Sequence, residues 1–498
     1  MNEIELLKAE RNEAWRDELR KNMKASERTA LTRVSMPEEK PNERNKSYVE
    51  VNKGLNAEQA LCEAKRCLDC VEPTCVQGCP VGIHIPFFIK KIEVGDVAGA
   101  ARVLKTYSAL PAVCGRVCPQ EKQCEASCFY TKKLNKPAVA IGFLERFAAD
   151  TERESGNMFV PEVAPNNGIK VGVVGAGPAG LTAASDLAKA GFSVTVFEAL
   201  HQIGGVLKYG IPEFRLPNIL VDVEIEVLRK MGVKFETNFI VGKTATFEQL
   251  RREGFEAFFV GSGAGLPNFM DIPGENLNGI LSSNEYLTRV NLMGASRKGY
   301  DTPVMLGKNV AVIGGGNTAM DSVRTALRLG ADRAMIVYRR SEEEMPARIE
   351  EIHHAKEEGV EFMTLHNPLE YIGDSRGYVK QMKVQRMELG EPDASGRRRP
   401  VPAVGSETLI EVDTVVVSIG VSPNPLVPSS LPGLEMSKWG TIKVNEDTMQ
   451  SAIPWVFAGG DIVRGGATVI LAMGDGRKAA RGIHQYLCYI HPELLSEA

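Results

Sequence analysis

Residues Lys170 to Leu181, KVGVVGAGPAGL, leave this chain few folds to choose from. Lys170 to Val174 is a short run rich in branched apolar residues, the composition of a buried parallel strand. It runs straight into Gly175, Gly177 and Gly180 at GxGxxG spacing. A helical pattern follows from Ala179 to Ala190. Gly175 permits the tight turn, Gly177 bares the backbone for a pyrophosphate, and Gly180 lets helix and strand pack closely. The phosphates then sit at the helix start, beside Pro178, on the unpaired N–H groups that begin with Ala179. Eighteen residues past Gly180, the next strand, SVTVFEA, ends in Glu198, where a carboxylate can bind a ribose 2′-hydroxyl. A glycine turn of purely structural use leaves strand, spacing, helix and acid together unexplained.

A second unit of the same kind lies downstream. Asn309 to Ile313 reads as a strand, followed by Gly314-Gly315-Gly316-Asn317-Thr318-Ala319 and a helix from Met320 to Leu329, the GxGxxA form of the pattern. Its next strand, Ala334 to Tyr338, ends in Arg339-Arg340-Ser341 instead of an acid. Two guanidinium groups and a hydroxyl suit a 2′-phosphate, so the expected cofactor is NADP(H) in preference to NAD(H). Arginines that merely cap a strand are the alternative. Val415 to Gly420 is read as the strand closing this second unit. Trp455 to Asp461 is read as a strand returning to the first sheet, with Gly460 and Asp461 beside a flavin. A helix starting near Ala467-Thr468-Val469 would turn its positive end to the reduced flavin. Between the two units, the loop His201 to Pro217 offers Gly204 and Gly205 for close backbone approach. That loop and its Arg215 are expected to line the space beyond the first nucleotide.

At 498 residues the chain should hold about three domains, and a net charge of −4 gives no electrostatic case for nucleic acid. Neither a signal peptide nor a membrane-spanning apolar run is evident, so a cytoplasmic protein is expected. Nine of its ten cysteines fall between Cys62 and Cys128, which in a reducing compartment speaks for metal over disulfides. They form two groups, Cys67-x2-Cys70-x4-Cys75-x3-Cys79-Pro80 and Cys114-x3-Cys118-Pro119-x4-Cys124-x3-Cys128. Close thiolates on tight turns are what an iron–sulfur cube needs. The two Cys-Pro pairs resemble the crossover cysteine of two-cluster ferredoxins. Structural zinc is the competing reading. Covalent haem is excluded because Val71 follows Cys70. Cys62 and Cys114 look surplus to two cubes, His84 looks structural, and Cys488 looks like packing.

Residues 1–50 carry eleven basic and eleven acidic side chains and are read as a solvated helix up to Lys24 followed by an extended tether, with a partner-docking arm as the alternative. No cysteine lies between Phe129 and Leu487, which excludes a thioredoxin-reductase-like disulfide reductase. Asn2, with no cysteine before Cys62, excludes glutamine splitting by this chain.

Taken together, RCLDC, GCP, CGRVCPQEKQC, GAGPAGL, GGVLKYGIPEFRLP, GGGNTAMD, VYRRSEEEMPA and VFAGGDIVRGGATVILAMGDG resemble the small (beta) subunit family of NADPH-dependent glutamate synthase, from about Arg44 to the end. Relatives include the NADP-binding subunit of a ferredoxin-dependent transhydrogenase and the electron-input half of dihydropyrimidine dehydrogenase. The resemblance implies an α/β protein with two Rossmann-like dinucleotide-binding domains, the NADPH domain inserted in the FAD domain, preceded by an α-helical iron–sulfur domain. The boundaries expected are a charged extension over 1–46, the helical domain over 47–165, FAD over 166–286 and 421–498, and NADPH over 287–420. One [4Fe-4S] cluster would be held by Cys67, Cys70, Cys75 and Cys128, and the other by Cys79, Cys118, Cys124 and Glu145, the last being a hypothesis carried from the dehydrogenase relative. Electrons would run from NADPH through FAD to the clusters, with no acid–base residue named as catalytic. The acceptor would be a large subunit that makes L-glutamate from glutamine and 2-oxoglutarate. A transhydrogenase subunit with its own flavoprotein or ferredoxin partner, or a self-assembling sulfide or ferredoxin oxidoreductase, remains the alternative. A hetero- or homo-oligomer is expected, with no membrane partner.

Overall fold

The structure, a computed structural model, describes residues 3–394 and 396–495; Met1, Asn2, Ser395 and residues 496–498 lie outside the described set. The first 154 residues are helical, with the longest helix at Ile141–Glu154. Local chemistry starts several of these helices. Asn56 caps Ala57–Arg66 with a reciprocal bond to Gln59, and Asp96 caps Val97–Tyr107. Helices Pro111–Val117 and Ile141–Glu154 pack so tightly that a Cβ on Gly115 would lie 2.6 Å from the Arg146 backbone nitrogen.

From residue 170 the chain alternates strand and helix. β1 (Lys170–Val174), β2 (Ser193–Phe197), β3 (Lys234–Glu236) and β4 (Phe255–Val260) run parallel, with β1 central and buried on both faces. The chain then leaves through β5 (Ala264–Pro267). A second parallel sheet takes β6 (Ile280–Ser282), β7 (Asn309–Ile313), β8 (Arg333–Tyr338) and β9 (Glu361–Thr364). An antiparallel sheet not anticipated from the sequence follows: β10 (His366–Gly373), β11 (Val379–Pro392) and β12 (Arg398–Glu411). Its buried Val379, Met382 and Val384 pack onto the back of the second sheet with Ala311 and Met335. β13 (Thr414–Val417) slots between β6 and β7, and β14 (Val421–Pro423) pairs antiparallel with β5. β15 (Val456–Ala458) then joins β4 in the first sheet. The strand orders, β15-β4-β1-β2-β3 and β6-β13-β7-β8-β9, are two copies of one parallel arrangement, one inserted in the other. Because β6 and the helix Ser283–Asn291 that follows it pack with the second sheet, the insertion begins before residue 287 and not at it.

The helical region and the first sheet share a continuous apolar core, which contains Phe88, Val113, Val173, Leu181 and Met473 together. The second sheet has its own. The helical region and the first-sheet unit are therefore fused, not tethered.

The N-terminal segment corrects the sequence expectation. It forms helices Glu3–Arg11, Ala14–Asn22 and Ala25–Ala30, and several of its charges are buried in ion pairs, not solvated. Arg16 and Arg28 are buried; Arg16 and Arg20 grip the buried Asp69, and Arg28 pairs with Glu93 at 2.8 Å. Arg44, also buried, reaches Glu357 at 2.7 Å and Glu358 at 3.1 Å on the second-sheet unit. His84 is structural, as expected: its Nδ1 lies 2.8 Å from Glu10 and its ring stacks on Tyr107. Among the described residues no helix is long and apolar enough to cross a membrane.

Candidate functional site

Both glycine turns open onto one cavity of about 1930 Å³ between the two parallel sheets. That is larger than the roughly 300–1,000 Å³ of a single small-ligand pocket, as two dinucleotides require. On the first sheet's side, Gly175, Gly177, Pro178 and Ala179 line it, and the helix Pro178–Lys189 starts there with its N–H groups free. Gly175 has φ +101°, a conformation that glycine allows. Gly180 does not line the cavity; it sits behind the turn, where a Cβ would lie 2.0 Å from the Gly175 carbonyl oxygen.

Glu198 faces the cavity but is committed to the turn as well. One carboxylate oxygen accepts from Ala176 N–H at 2.8 Å and the other from Leu200 N–H at 2.8 Å. Burial raises its pKa while those amides counteract it. Gly205 closes over the turn: it has φ +55°, and a Cβ there would come within 3.0 Å of Gly177 Cα. Gly460, Asp461, Thr468 and Val469 line the opposite wall. The sequence pointed at Asp461 but not at Asp475, which fixes this wall by accepting from Gly460 N–H at 3.0 Å and holding both ends of the Arg464 guanidinium at 2.6 Å. Burial pushes the Asp461 carboxyl up to about 6, with Asp475 adding to the rise.

On the other side, Gly314, Gly316, Asn317 and Thr318 line the cavity at the start of helix Asn317–Arg328. A Cβ on Gly314 would lie 2.2 Å from Ser418 O. The two arginines part company. Arg339 is exposed and lines the cavity. Arg340 also lines the cavity but is only 6 % exposed; its Nη2 holds Asp393 at 2.6 Å and its Nε holds Arg398 O at 2.8 Å. Ser341 is bound to Glu344. The expectation of two free guanidinium groups and a free hydroxyl is therefore corrected to one, Arg339. Arg215 also reaches the cavity, yet its guanidinium is held by Asp321 at 2.7 Å and Glu351 at 2.9 Å, which makes it a clamp between the two units more than a free ligand group.

The cysteines of the two implied sets lie close to one another in the helical region. None of the ten forms a disulfide. Burial pushes the Cys70 thiol up to about 12 and Cys75 well above its ordinary value, and in each the neighbouring Cys67 and Cys128 add to the rise. These four thiols are therefore near enough to influence one another. Burial likewise pushes Cys79 up to about 11 and Cys124 well up, while for Cys118 a hydrogen bond with Cys114 leads and burial follows. The Glu145 carboxylate adds to the rise at all three. Glu145 is 5 % exposed, its Oε1 has no hydrogen-bond partner, and burial with nearby Glu224 pushes it up to about 8. A buried carboxylate without a donor, among crowded thiols, calls for a cation; the donor set fits an iron–sulfur cluster. Cys114 is otherwise engaged, 3.5 Å from Met473 Sδ, and Cys62 is exposed. Val117 and Pro119, on either side of Cys118, line the large cavity.

Comparison with known proteins agrees with this division. Residues 44–157 match a family profile described as dihydropyrimidine dehydrogenase domain II, 4Fe-4S cluster, and residues 169–476 match the pyridine nucleotide-disulphide oxidoreductases. The chain is 37 % identical over 462 residues to the glutamate synthase [NADPH] small chain of Azospirillum brasilense, covering 91 % of this chain and 95 % of that one. It is 37 % identical to the Escherichia coli small chain, covering 92 % and 98 %. It is 40 % identical to the beta subunit of the NADP(+)-dependent formate dehydrogenase of Moorella thermoacetica, of which it covers 60 %. Among solved structures, Mycobacterium tuberculosis FprA in complex with NADPH shares the fold at a TM-score of 0.55 and 19 % identity, over 66 % of this chain and 86 % of that one.

Proposed function

Since the chain belongs to the family of glutamate synthase [NADPH] small chains, and over residues 169–476 to the pyridine nucleotide-disulphide oxidoreductases, we propose that it takes electrons from NADPH through FAD and two [4Fe-4S] clusters to a large partner subunit that forms L-glutamate from glutamine and 2-oxoglutarate, in the cytoplasm. One observation carries this reading: two phosphate-binding turns open onto one cavity whose wall includes the residues on either side of Cys118. Near-complete coverage of the glutamate synthase small chains, against 60 % of the formate dehydrogenase subunit, supports this reading over a formate dehydrogenase role.

The chemistry supplied by the bound groups is hydride uptake from NADPH at the flavin and single-electron transfer at the clusters. The chain's residues bind and orient. Gly175, Gly177, Pro178 and the N–H groups from Ala179 onward would hold the FAD pyrophosphate, with Gly180 packing the turn and Glu198 at the ribose. Gly205 covers the turn, while Gly460, Asp461, Thr468 and Val469 present a helix start to the isoalloxazine end. Gly314, Gly316, Asn317 and Thr318 hold the NADPH pyrophosphate, and Arg339 pairs with the 2′-phosphate while Arg340, through Asp393, fixes the strand end on which it stands. Cys67, Cys70, Cys75 and Cys128 hold one cluster, and Cys79, Cys118, Cys124 and Glu145 the other.

Anaerobically prepared protein is expected to contain about eight iron and eight sulfide per chain and to reduce ferricyanide with NADPH; with the large chain of its own host it should form glutamate. Colourless protein containing zinc would sink the reading. Cys70→Ser should leave about half the iron and nearly full NADPH–ferricyanide activity, since the first group lies away from the cavity. Replacing Arg339 with glutamine should raise the KM for NADPH by about ten- to a hundredfold, with that for NADH nearly unchanged. Arg340→Gln should disturb both cofactors alike by loosening the Asp393 turn, a pattern that steady-state kinetics with each nucleotide would resolve.

A further inference from the structure

The two sets of cluster ligands are ordered between the cavity and the surface. Helix Val469–Ile490 lines the cavity with Val469 and Ala472; one residue on, Met473 touches Cys114, and a Cβ on Gly474 would lie 3.0 Å from the carbonyl oxygen of Pro80, next to Cys79. With Cys118 between the cavity-lining Val117 and Pro119, the Cys79, Cys118, Cys124 and Glu145 set sits against the cavity. The Cys67, Cys70, Cys75 and Cys128 set lies outward of it. The residues after Cys70 and Cys128, Val71 and Phe129, are 56 % and 41 % exposed, whereas Pro119, after Cys118, is buried. The segments that carry them adjoin, since Thr74 Oγ1 donates to Ser127 O at 2.5 Å.

The helix Phe129–Leu134 adds charge to that surface. Phe129, Lys132 and Lys133 stand at i, i+3 and i+4, on one helix face, and all are exposed. Tyr130, on the other face, is buried and anchors the helix by donating to Arg66 O at 2.8 Å. Lys132 and Lys133 ion-pair with nothing among the described residues. Asp69 nearby is consumed by Arg16 and Arg20, which leaves Glu72 as the exposed acid of the rim. An apolar centre with an unpaired basic rim, directly over the outermost cluster ligands, has the composition of a small transient electron-transfer interface.

We propose that the surface centred on Val71 and Phe129, rimmed by Lys132 and Lys133, is the exit for electrons, and that it docks an acidic protein surface with a one-electron centre beneath it. The inference rests on the functional reading above and names where the partner binds. Each NADPH oxidised to NADP+ and one proton delivers two electrons, which leave one at a time and reduce two acceptor centres by one electron each. Electron tunnelling weakens steeply with distance, so a partner docked elsewhere would be served poorly.

The test uses the holoprotein, with an acidic [2Fe-2S] ferredoxin as probe and ferricyanide as a small oxidant that needs no docking. Lys132→Glu with Lys133→Glu should slow ferredoxin reduction at low ionic strength by at least about tenfold and flatten its salt dependence, with iron content and ferricyanide rate unchanged. Phe129→Ser should slow it severalfold at every ionic strength. The surface assignment is overturned if the charge-reversed protein, fully loaded with iron, reduces the ferredoxin as fast as wild type, or if wild type reduces ferricyanide but not the ferredoxin. Protein lacking both iron and NADPH–ferricyanide activity would refute the functional reading, and the exit with it.

Discussion

Gly180→Ala is expected to give protein that folds but holds almost no flavin, with NADPH oxidation reduced by more than about a hundredfold. The added Cβ would lie 2.0 Å from Gly175 O, 3.1 Å from Gly175 C and 3.2 Å from Val173 Cγ1. Neither side can yield cheaply. β1 is paired on both edges, and Gly175 N–H is fixed to Phe197 O at 2.8 Å. The helix start must therefore lift away from the turn, and its N–H groups no longer converge on a pyrophosphate. Gly177→Ala is the contrasting case. A Cβ built there meets nothing within 4 Å, so the empty fold accommodates it, and its effect should fall on flavin affinity alone. Flavin absorbance per chain, with circular dichroism as the control for folding, separates the two. Full flavin content in Gly180→Ala would show that this turn is not the flavin site.

The second large effect is one of stability. Arg324 is fully buried, bonds Glu358 through Nε at 3.0 Å and Nη2 at 2.7 Å, pairs with Glu351 through Nη1, and lies over the Phe214 ring. Arg324→Met should cost roughly 3–5 kcal/mol, because it leaves buried carboxylates short of a partner and does not merely remove a favourable contact. The unfolding transition of the second-sheet unit should drop by on the order of 10 °C. The same network sets a pH dependence. Although burial opposes it, Arg215 and Arg324 hold Glu351 down to about 2, and Arg324 and Arg328 hold Glu358 down to about 2. A depressed carboxylate contributes stability that is complete above its ordinary pKa of 4.5 and is lost as pH falls toward the folded value. Stability should therefore fall steeply between about pH 4.5 and pH 2, and less steeply in Arg324→Met. Denaturant titrations across that window check both statements; equal slopes for wild type and variant would remove the network from the explanation.

The network also shows where sequence reasoning stops. Arg44 meets Glu358 across 314 residues, and Arg16 meets Asp69 across 53. In sequence, the first fifty residues look like balanced charge with nothing to bury, because the partners that neutralise them are elsewhere. Arg339 and Arg340 are indistinguishable as letters. They are separated by the β11–β12 hairpin, whose turn brings Asp393 to Arg340 and leaves Arg339 open to the cavity. The hairpin itself had a signal in the spacing of Val379, Met382, Val384 and Met387, but a mixture of two- and three-residue steps marks no single period.

By itself, the sequence determined the local machines: two glycine turns between strand and helix, and thiols spaced for clusters. Each depends on backbone freedom or ligand identity within about a dozen residues, and such short-range requirements are written where they act. Only the tertiary structure decided which charged groups remain free, that Glu145 is buried near Cys79, Cys118 and Cys124, and that the residues flanking Cys118 line the cavity while Val71 and Phe129 are exposed. The physical reason is that a charge or a ligand is defined by what surrounds it. Those surroundings come from segments that meet through burial of apolar area, and the chain does not record such meetings in any local pattern.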